Sequence, residues 1–206
     1  MDWGEGVRAD HSRTIESACR LIAANDVAGA ERTIRDEYPF QPLENAGRRC
    51  SAQEMARVFH RDGFIDRYRG TRLVFPPVLR MLSLYLPEVF PYHPNGKFTA
   101  CHFAFWALFP TIDHIQPIAR GGADSEENWV CCSMLTNSIK ANWTLEELQR
   151  QLRPPRDRRE WDGMLGWFVE RLAADPAIAR HSYIKRWQHA ALAVAPSSAL
   201  PDCAIA

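Results

Sequence analysis

Residues 111–143, TIDHIQPIARGGADSEENWVCCSMLTNSIKANW, decide how this chain is read. Thr111 to Ile118 is short, rich in β-branched residues and bounded by Pro110 and by the pair Gly121-Gly122, so it is expected to form a strand. Ile112, Ile115 and Ile118 are its apolar anchors, although their spacing is not a strict alternation. The glycine pair permits a loop with positive φ, which most other residues resist. The segment from Asn128 to Cys132 reads as the returning strand. Ser133 to Ala141 reads as a short helix that carries Asn137 and Lys140 on one face. Strand, loop, strand, helix is a small ββα unit able to gather Asp113, His114, Asn128 and Asn137. Acidic, imidazole and amide side chains grouped in this way suit a metal-assisted reaction on a phosphodiester.

The totals bound what surrounds that unit. A chain of 206 residues can bury one real core, or two small subdomains at most. An apolar share of 46% and a charged share of 24% are those of an ordinary soluble globular protein. Formal net charge is zero, so nucleic-acid binding would have to come from local patches of Lys and Arg. Six cysteines, at 19, 50, 101, 131, 132 and 203, form no CxxC pair. The start MDWGEGVRAD lacks the basic-then-apolar pattern of a secretory signal. No apolar run approaches the ~18 residues of a membrane span. The expectation is a cytoplasmic protein with reduced cysteines and no membrane partner.

Upstream of the motif the pattern is mainly helical. Residues 1–10 read as a loose arm. Ser12 to about Ala24 carries Ile15, Cys19 and Ile22 at helical spacing. A second run follows from Val27 to Tyr38, with Asp26 as its N-cap. Ser51-Ala-Gln-Glu54 is a capping-box signature for a helix to about Arg61, closed by Asp62-Gly63. Phe64 to Phe75 reads as a hairpin that turns near Arg69-Gly70-Thr71 and is stopped by Pro76-Pro77. Val78 to Leu86 and Ala100 to Leu108 read as short helices.

Downstream, Thr144-Leu-Glu-Glu147 is a second capping box, for a helix to about Leu152. Trp161 to Ala173 and Ala177 to Ala193 read as packed helices, and residues 194–206 as a disordered tail. The fold class is therefore α+β and mostly helical, a small ββα core wrapped by flanking helices. The expected divisions are an N-terminal helical region (1–63), the core with a helical insertion (64–153), C-terminal helices (154–193) and the tail.

The pattern D-H-I-x-P-x-x-x-G-G, then N, then N-x-x-K resembles the HNH nuclease superfamily with its ββα-metal fold. Asp113-His114-Ile115, Pro117, Gly121-Gly122, Asn128, Asn137 and Lys140 carry the resemblance. It covers the motif, extends to the hairpin at 64–75, and leaves the rest of the chain unexplained. Two departures stand out. The final histidine that names the family is Asn137 here. The zinc-binding CxxC pairs that brace many members are missing: Tyr68-Arg-Gly70 lies where one knuckle often sits, and Cys131 and Cys132 are adjacent.

The resemblance implies hydrolysis of DNA phosphodiester bonds to 3′-hydroxyl and 5′-phosphate ends, in restriction, phage defence or a mobile element. His114 would be the general base that takes a proton from the attacking water, a role that suits imidazole because it titrates near neutrality. Asp113 and Asn137 would hold one divalent cation through oxygen, Mg²⁺ or Mn²⁺, and structural zinc is not expected. Asn128 would orient the His114 ring across the hairpin. Lys140 and Arg120 are candidate phosphate contacts, as are Arg67, Arg69 and Arg72 in a basic cluster that also includes Arg48, Arg49, Arg57, His60 and Arg61. A second basic cluster, Arg150, Arg153, Arg156, Arg158 and Arg159, is diluted by Asp157 and Glu160.

Each of these residues also has an ordinary reading. A single histidine is more often structural than catalytic, an asparagine before a strand often only makes a turn, and charge runs are usually solvated faces. The joint spacing favours the nuclease. The rivals are a nucleic-acid-binding module of the same fold with little or no catalysis, and a helical interaction protein in which the motif is coincidence. No residue pattern separates DNA from RNA or demands a homodimer, although a two-fold dimer would suit double-strand cleavage.

Overall fold

The structure, a computed structural model, describes residues 11–40 and 50–194. The expected arm at 1–10, Arg48, Arg49, Cys203 and the tail beyond Val194 lie outside those residues. The chain divides into two compact units, Met1–Gly47 and Arg48–Ala206.

The first unit is a helical hairpin. Helix α1 (Ser12–Ala23) and helix α2 (Val27–Glu37) are joined through Asn25, which has φ 63, and through Asp26, whose carboxylate accepts the Gly29 N–H at 2.8 Å. That N-cap satisfies a backbone donor the first helical turn leaves open. The Thr14 hydroxyl donates to Glu37 at 3.1 Å, and the His11 ring stacks on Tyr38 at 4.0 Å. The buried residues include the small Ala18, Gly29 and Ala30, while Ile15, Ile22 and Val27 are exposed.

The second unit is α+β. Its sheet is strand β1 (Pro110–His114) antiparallel to strand β2 (Trp129–Ser133), with Asp113 opposite Val130 and His114 opposite Trp129. Helix α3 (Ala52–Arg61) begins at the capping box of Ser51 and Glu54, with both reciprocal bonds present. Helix α4 (Pro76–Tyr85) begins earlier than expected, with both prolines inside its first turn. Proline fits there because the N–H it lacks would have no intrahelical partner. Helix α5 spans only Ala104–Ala107, and helix α6 (Met134–Lys140) leaves β2 directly. Helices α7 (Leu165–Ala174), α8 (Pro176–Ala179) and α9 (Ser182–Val194) complete the unit. No helix among the described residues is long and apolar enough to cross a membrane.

Several expected elements differ. Phe64 to Phe75 is a hairpin shorter than a regular one: Ile65 bridges Arg72, with Asp66 N–H donating to Thr71 O and Leu73 N–H to Phe64 O at 2.8 Å each, around a turn built on the buried carboxylate of Asp66. Its Oδ1 accepts the N–H groups of Tyr68 and Arg69 at 3.0 and 3.1 Å, an Asx-type turn that closes the hairpin. The Thr144–Glu147 capping bonds form, yet the chain beyond them makes turns only, with Gln149 at φ 51. The expected helix from Trp161 starts at Leu165, because Gly163 (φ 70) and Met164 (φ 65) are left-handed. A side chain at Gly163 would run into the ring of Phe64. The last expected helix is also split at Arg180-His181, between α8 and α9.

The core lies between α3, α4, α7 and α9. Phe64 and Phe75 meet edge to face at 6.0 Å, and Phe75 meets Phe168 and Trp187 at 5.3 Å each. One face of the sheet, with Ile112, Trp129 and Cys131, joins this cluster. The other face, with Val130 and Cys132, packs on Tyr68, Ile115, Leu145 and Leu152. All five residues of β2 are therefore buried, although the sheet has only two strands.

The outer edge of β2 is paired by three side chains and one backbone N–H in place of a third strand. Arg61 Nη2 donates to Trp129 O at 2.5 Å. Asp62 Oδ2 accepts Cys131 N–H at 2.8 Å, Arg67 N–H donates to Cys131 O at 2.9 Å, and Asp66 Oδ2 accepts Ser133 N–H at 3.1 Å. Asp62 and Asp66 are 0% exposed, and Asp62 is balanced by Arg67 at 2.8 Å and Arg61 at 3.0 Å. A buried donor without an acceptor is costly, so these carboxylates are structural requirements. Asp66→Ala strands the N–H groups of Tyr68 and Ser133, while Arg69 N–H keeps the Asp66 carbonyl, and is expected to lower unfolding free energy by about 2 kcal/mol, roughly 1 kcal/mol per donor. Urea denaturation beside Asp157→Ala, an exposed acid, measures it; equal stability of the two variants would refute the edge-pairing account.

Candidate active site

Successive residues of a strand face opposite sides of a sheet, so Asp113 and His114 are parted by β1 itself. The first lies on the face that meets α6 and Tyr68, the second on the face of Trp129.

On the His114 side, the ring is 7% exposed and stands edge-on to the Trp129 indole, with centroids 6.4 Å apart. His114 Nε2 is 2.8 Å from Asp124 Oδ1, and Trp129 Nε1 is 3.0 Å from both of those atoms. One imidazole nitrogen cannot both donate to the carboxylate and accept from the indole. The arrangement that satisfies all three groups has Nε2–H and the indole N–H both donating to Asp124, which leaves Nδ1 as the basic nitrogen.

Asp124 arrives there because the loop between the strands is held closed. Asn128 Nδ2 donates to Gln116 O and to Ala123 O at 2.8 Å, and its Oδ1 accepts Gln116 N–H at 2.9 Å. Gly121 turns at φ 80, and a Cβ at Gly122 would strike Gln116 O. The structure thus gives Asn128 the loop to hold, and the ring contact expected of it belongs to Asp124 and Trp129.

On the Asp113 side, the carboxylate is 6% exposed. Its Oδ2 accepts from the Tyr68 hydroxyl at 2.5 Å and lies 2.9 Å from Lys140 Nζ. Lys140 is 2% exposed and also donates to His114 O at 2.8 Å. Burial first, and then the Asp113 charge, raise the Tyr68 pKa far above the usual phenol value, so its hydroxyl remains a donor. Asn137 is drawn to the same strand: its Nδ2 donates to Thr111 Oγ1 at 3.1 Å and to Ile112 O at 3.2 Å. Helix α6 is therefore fastened along β1 by Asn137 and Lys140, one turn apart, and it meets β1 on the Asp113 side.

The basic candidates divide. Lys140 and Arg120 are not solvated surface charges: Arg120 Nη2 is 2.5 Å from Glu147 Oε1, with both side chains nearly buried. The Thr144 N–H and then Arg120 hold the Glu147 carboxyl below its usual range. Arg67 is spent on Asp62 and on Arg153 O. Arg69 and Arg72 are exposed, with Arg72 over the Trp161 ring at 5.2 Å. His102 stacks on Phe90 at 4.2 Å and His93 accepts Asn95 N–H, so both have loop-building partners. Trp143, just after the motif helix, is 44% exposed. Cys131 and Cys132 are buried, which raises their thiol pKa values well above the usual one, and a protonated thiol is a poor metal ligand.

Two residues of this arrangement escaped the sequence reading. Asp124 is an acid in the same loop as the glycine pair, a position that could have marked it as a histidine partner. Tyr68 carries no such signal, because only the tertiary fold brings it to Asp113.

Among the described residues no group of three or more His, Cys, Asp or Glu side chains is arranged to hold a metal ion. A protein-only cage is thus absent from them. The oxygen pair of Asp113 and Asn137 fits a hard ion only if water and a phosphate complete its shell, and only if Asp113 shares its charge with Lys140. No family model, no curated protein and no solved structure matches this chain.

The Asp124 assignment is directly measurable. In ¹⁵N-resolved spectra the neutral His114 ring is expected to carry its proton on Nε2. Asp124→Ala is expected to shift it toward the tautomer mixture of a free imidazole. A wild-type ring protonated on Nδ1 would reverse the assignment.

Proposed function

We propose that this protein is a metal-dependent endonuclease of the HNH type that hydrolyses DNA phosphodiester bonds. The observation that carries the reading is the combination of motif and geometry: antiparallel β1 and β2 run straight into α6, and α6 is tied to β1 through Asn137 and Lys140. The polar motif residues all lie on these elements or on the loop between the strands.

In this reading His114 takes the proton of the attacking water on Nδ1, while Asp124 fixes the ring and stabilises the imidazolium that forms. Trp129 helps hold Asp124 in place and covers one side of the dyad. Asp113 and Asn137 would hold a Mg²⁺ or Mn²⁺ ion, which when bound neutralises the phosphate and the departing 3′ oxygen. Tyr68 and Lys140 hold the Asp113 carboxylate in place, and Asn128 keeps the loop in the shape that delivers Asp124.

A second reading is a nucleic-acid-binding module without catalysis. The Lys140–Asp113 ion pair favours it, since the lysine already supplies the positive charge that a cation would bring. Supercoiled plasmid incubated with Mg²⁺ or Mn²⁺ separates the two. The nuclease reading expects nicked or linear product, reduced roughly 10²–10⁴-fold by His114→Ala. Cleavage undiminished in that variant would remove His114 from the reaction, and binding without cleavage under either metal would establish the module.

A further inference from the structure

Besides the candidate site, the second unit has a polar groove of about 560 Å³ between Tyr68 and the segment from Gln149 to Pro154. We infer that this groove is a phosphodiester-binding subsite, in which Arg150 and Arg153 hold the nucleic-acid backbone beside the Asp113 face of β1. The inference rests on the nuclease reading for its neighbour, and on the groove's own chemistry for its ligand.

The lining contains two arginines and two glutamines, and no carboxylate. Nearby arginines are spent on acids: Arg156 on Glu160, Arg159 on Asp157, Arg120 on Glu147 and Arg67 on Asp62. Among the described residues neither Arg150 nor Arg153 forms an ion pair, and both are exposed. A guanidinium presents a planar fork of donors that matches phosphate oxygens, and glutamine amides add neutral donors.

The segment is also held in advance of any ligand. Arg153 N–H donates to Arg67 O at 2.6 Å, Arg67 Nε donates to Arg153 O at 2.5 Å, and Arg150 N–H donates to Leu145 O at 2.9 Å. Gln149 stands at φ 51, a conformation costly for a residue with a side chain. The Arg153 stem passes 3.6 Å from where a Cβ on Gly70 would stand, so the groove abuts the turn that carries exposed Arg69. Donors fixed before binding lose less entropy on binding.

Location adds the last link. Tyr68 lines the groove and its hydroxyl lies 2.5 Å from Asp113, so one side chain separates the groove from the carboxylate of the candidate site. Asp113 does not repel an anion there, because Lys140 neutralises it. Of the two basic clusters of the sequence, the second lines the groove, and the pairing of residues 67 and 153 brings the first beside it.

The test is DNA binding by fluorescence anisotropy, with a short labelled duplex in EDTA across a range of salt. Arg150→Gln/Arg153→Gln is compared with wild type and with Arg156→Gln/Arg159→Gln, which removes the same charge from residues already paired. The slope of log affinity against log salt is expected to fall by roughly 1.8 in the groove variant, about 0.9 for each phosphate no longer neutralised, and to change little in the control. Circular dichroism and melting of the groove variant should match wild type, since both arginine side chains are exposed. An unchanged slope, an equal reduction in the control pair, or no duplex binding by wild type would overturn the inference. So would displacement of the duplex by inorganic phosphate at constant ionic strength, which would mark a free-anion site. Because cation and cleavage are absent from this measurement, a groove that passes while plasmid cleavage fails separates the two readings, as does the converse.

Discussion

The outer edge of β2 is the constraint on which the second unit depends. A two-stranded sheet is marginal by itself, and an edge strand buried on both faces would strand its outward N–H and C=O groups. Arg61, Asp62, the Arg67 backbone and Asp66 answer those groups one after another along the strand. These four residues lie at the end of α3 and in the turn after it. The same contacts therefore join the sheet to the helical core and set where the motif strands stand. In the nucleases that the motif resembles, zinc-binding cysteine pairs often supply such bracing. Here the Ser133 and Thr136 hydroxyls bond to each other at 2.9 Å, while Asp66 secures the Ser133 N–H and the Tyr68 turn.

Bracing of that kind makes the polar site an inseparable part of the core. Tyr68 sits at the turn that Asp66 organises, and its hydroxyl is the first partner of Asp113. Lys140 then brings its charge to the same oxygen from the far end of α6. A buried ion pair gains little net stability over apolar residues of similar size, but removal of one member is costly. The Tyr68–Asp113–Lys140 group is best understood as fixing how α6 lies on the sheet. Across the strand, Asp124 and Trp129 do the same for the His114 ring. The two faces are thus held by different partners, and β1 alone links them.

Much of this was legible along the chain, and its pattern shows why. The Ser51–Glu54 capping box and the Asp26 N-cap depend on residues within one helical turn, so both appear where the spacing puts them. The strands at 110–114 and 129–133 and the helix at 134–140 follow from β-branched runs and the glycine pair. Where a local signal competes with a distant contact, the distant contact decides. The Thr144–Glu147 box forms all its bonds, yet Glu147 is also held by Arg120, and the chain turns at Gln149 to pair residue 153 with residue 67. The run at 64–75 has the composition of a hairpin and pairs as one at Ile65 and Arg72, but its turn is set by buried Asp66, which also reaches Ser133 on β2.

The sequence by itself determined the α+β class, the strand–loop–strand–helix order around the motif, and the candidate set of Asp113, His114, Asn128, Asn137 and Lys140. Those features are encoded over a few residues, by propensity, capping and glycine placement. Only the tertiary structure decided the partners. It put Asp113 and His114 on opposite faces, gave His114 to Asp124, buried Lys140 and Arg120 in ion pairs, and brought Arg150 and Arg153 beside Tyr68. Most partners of this sort are separated by tens of residues along the chain. Whether a charge faces solvent or an opposite charge depends on packing that no local pattern encodes.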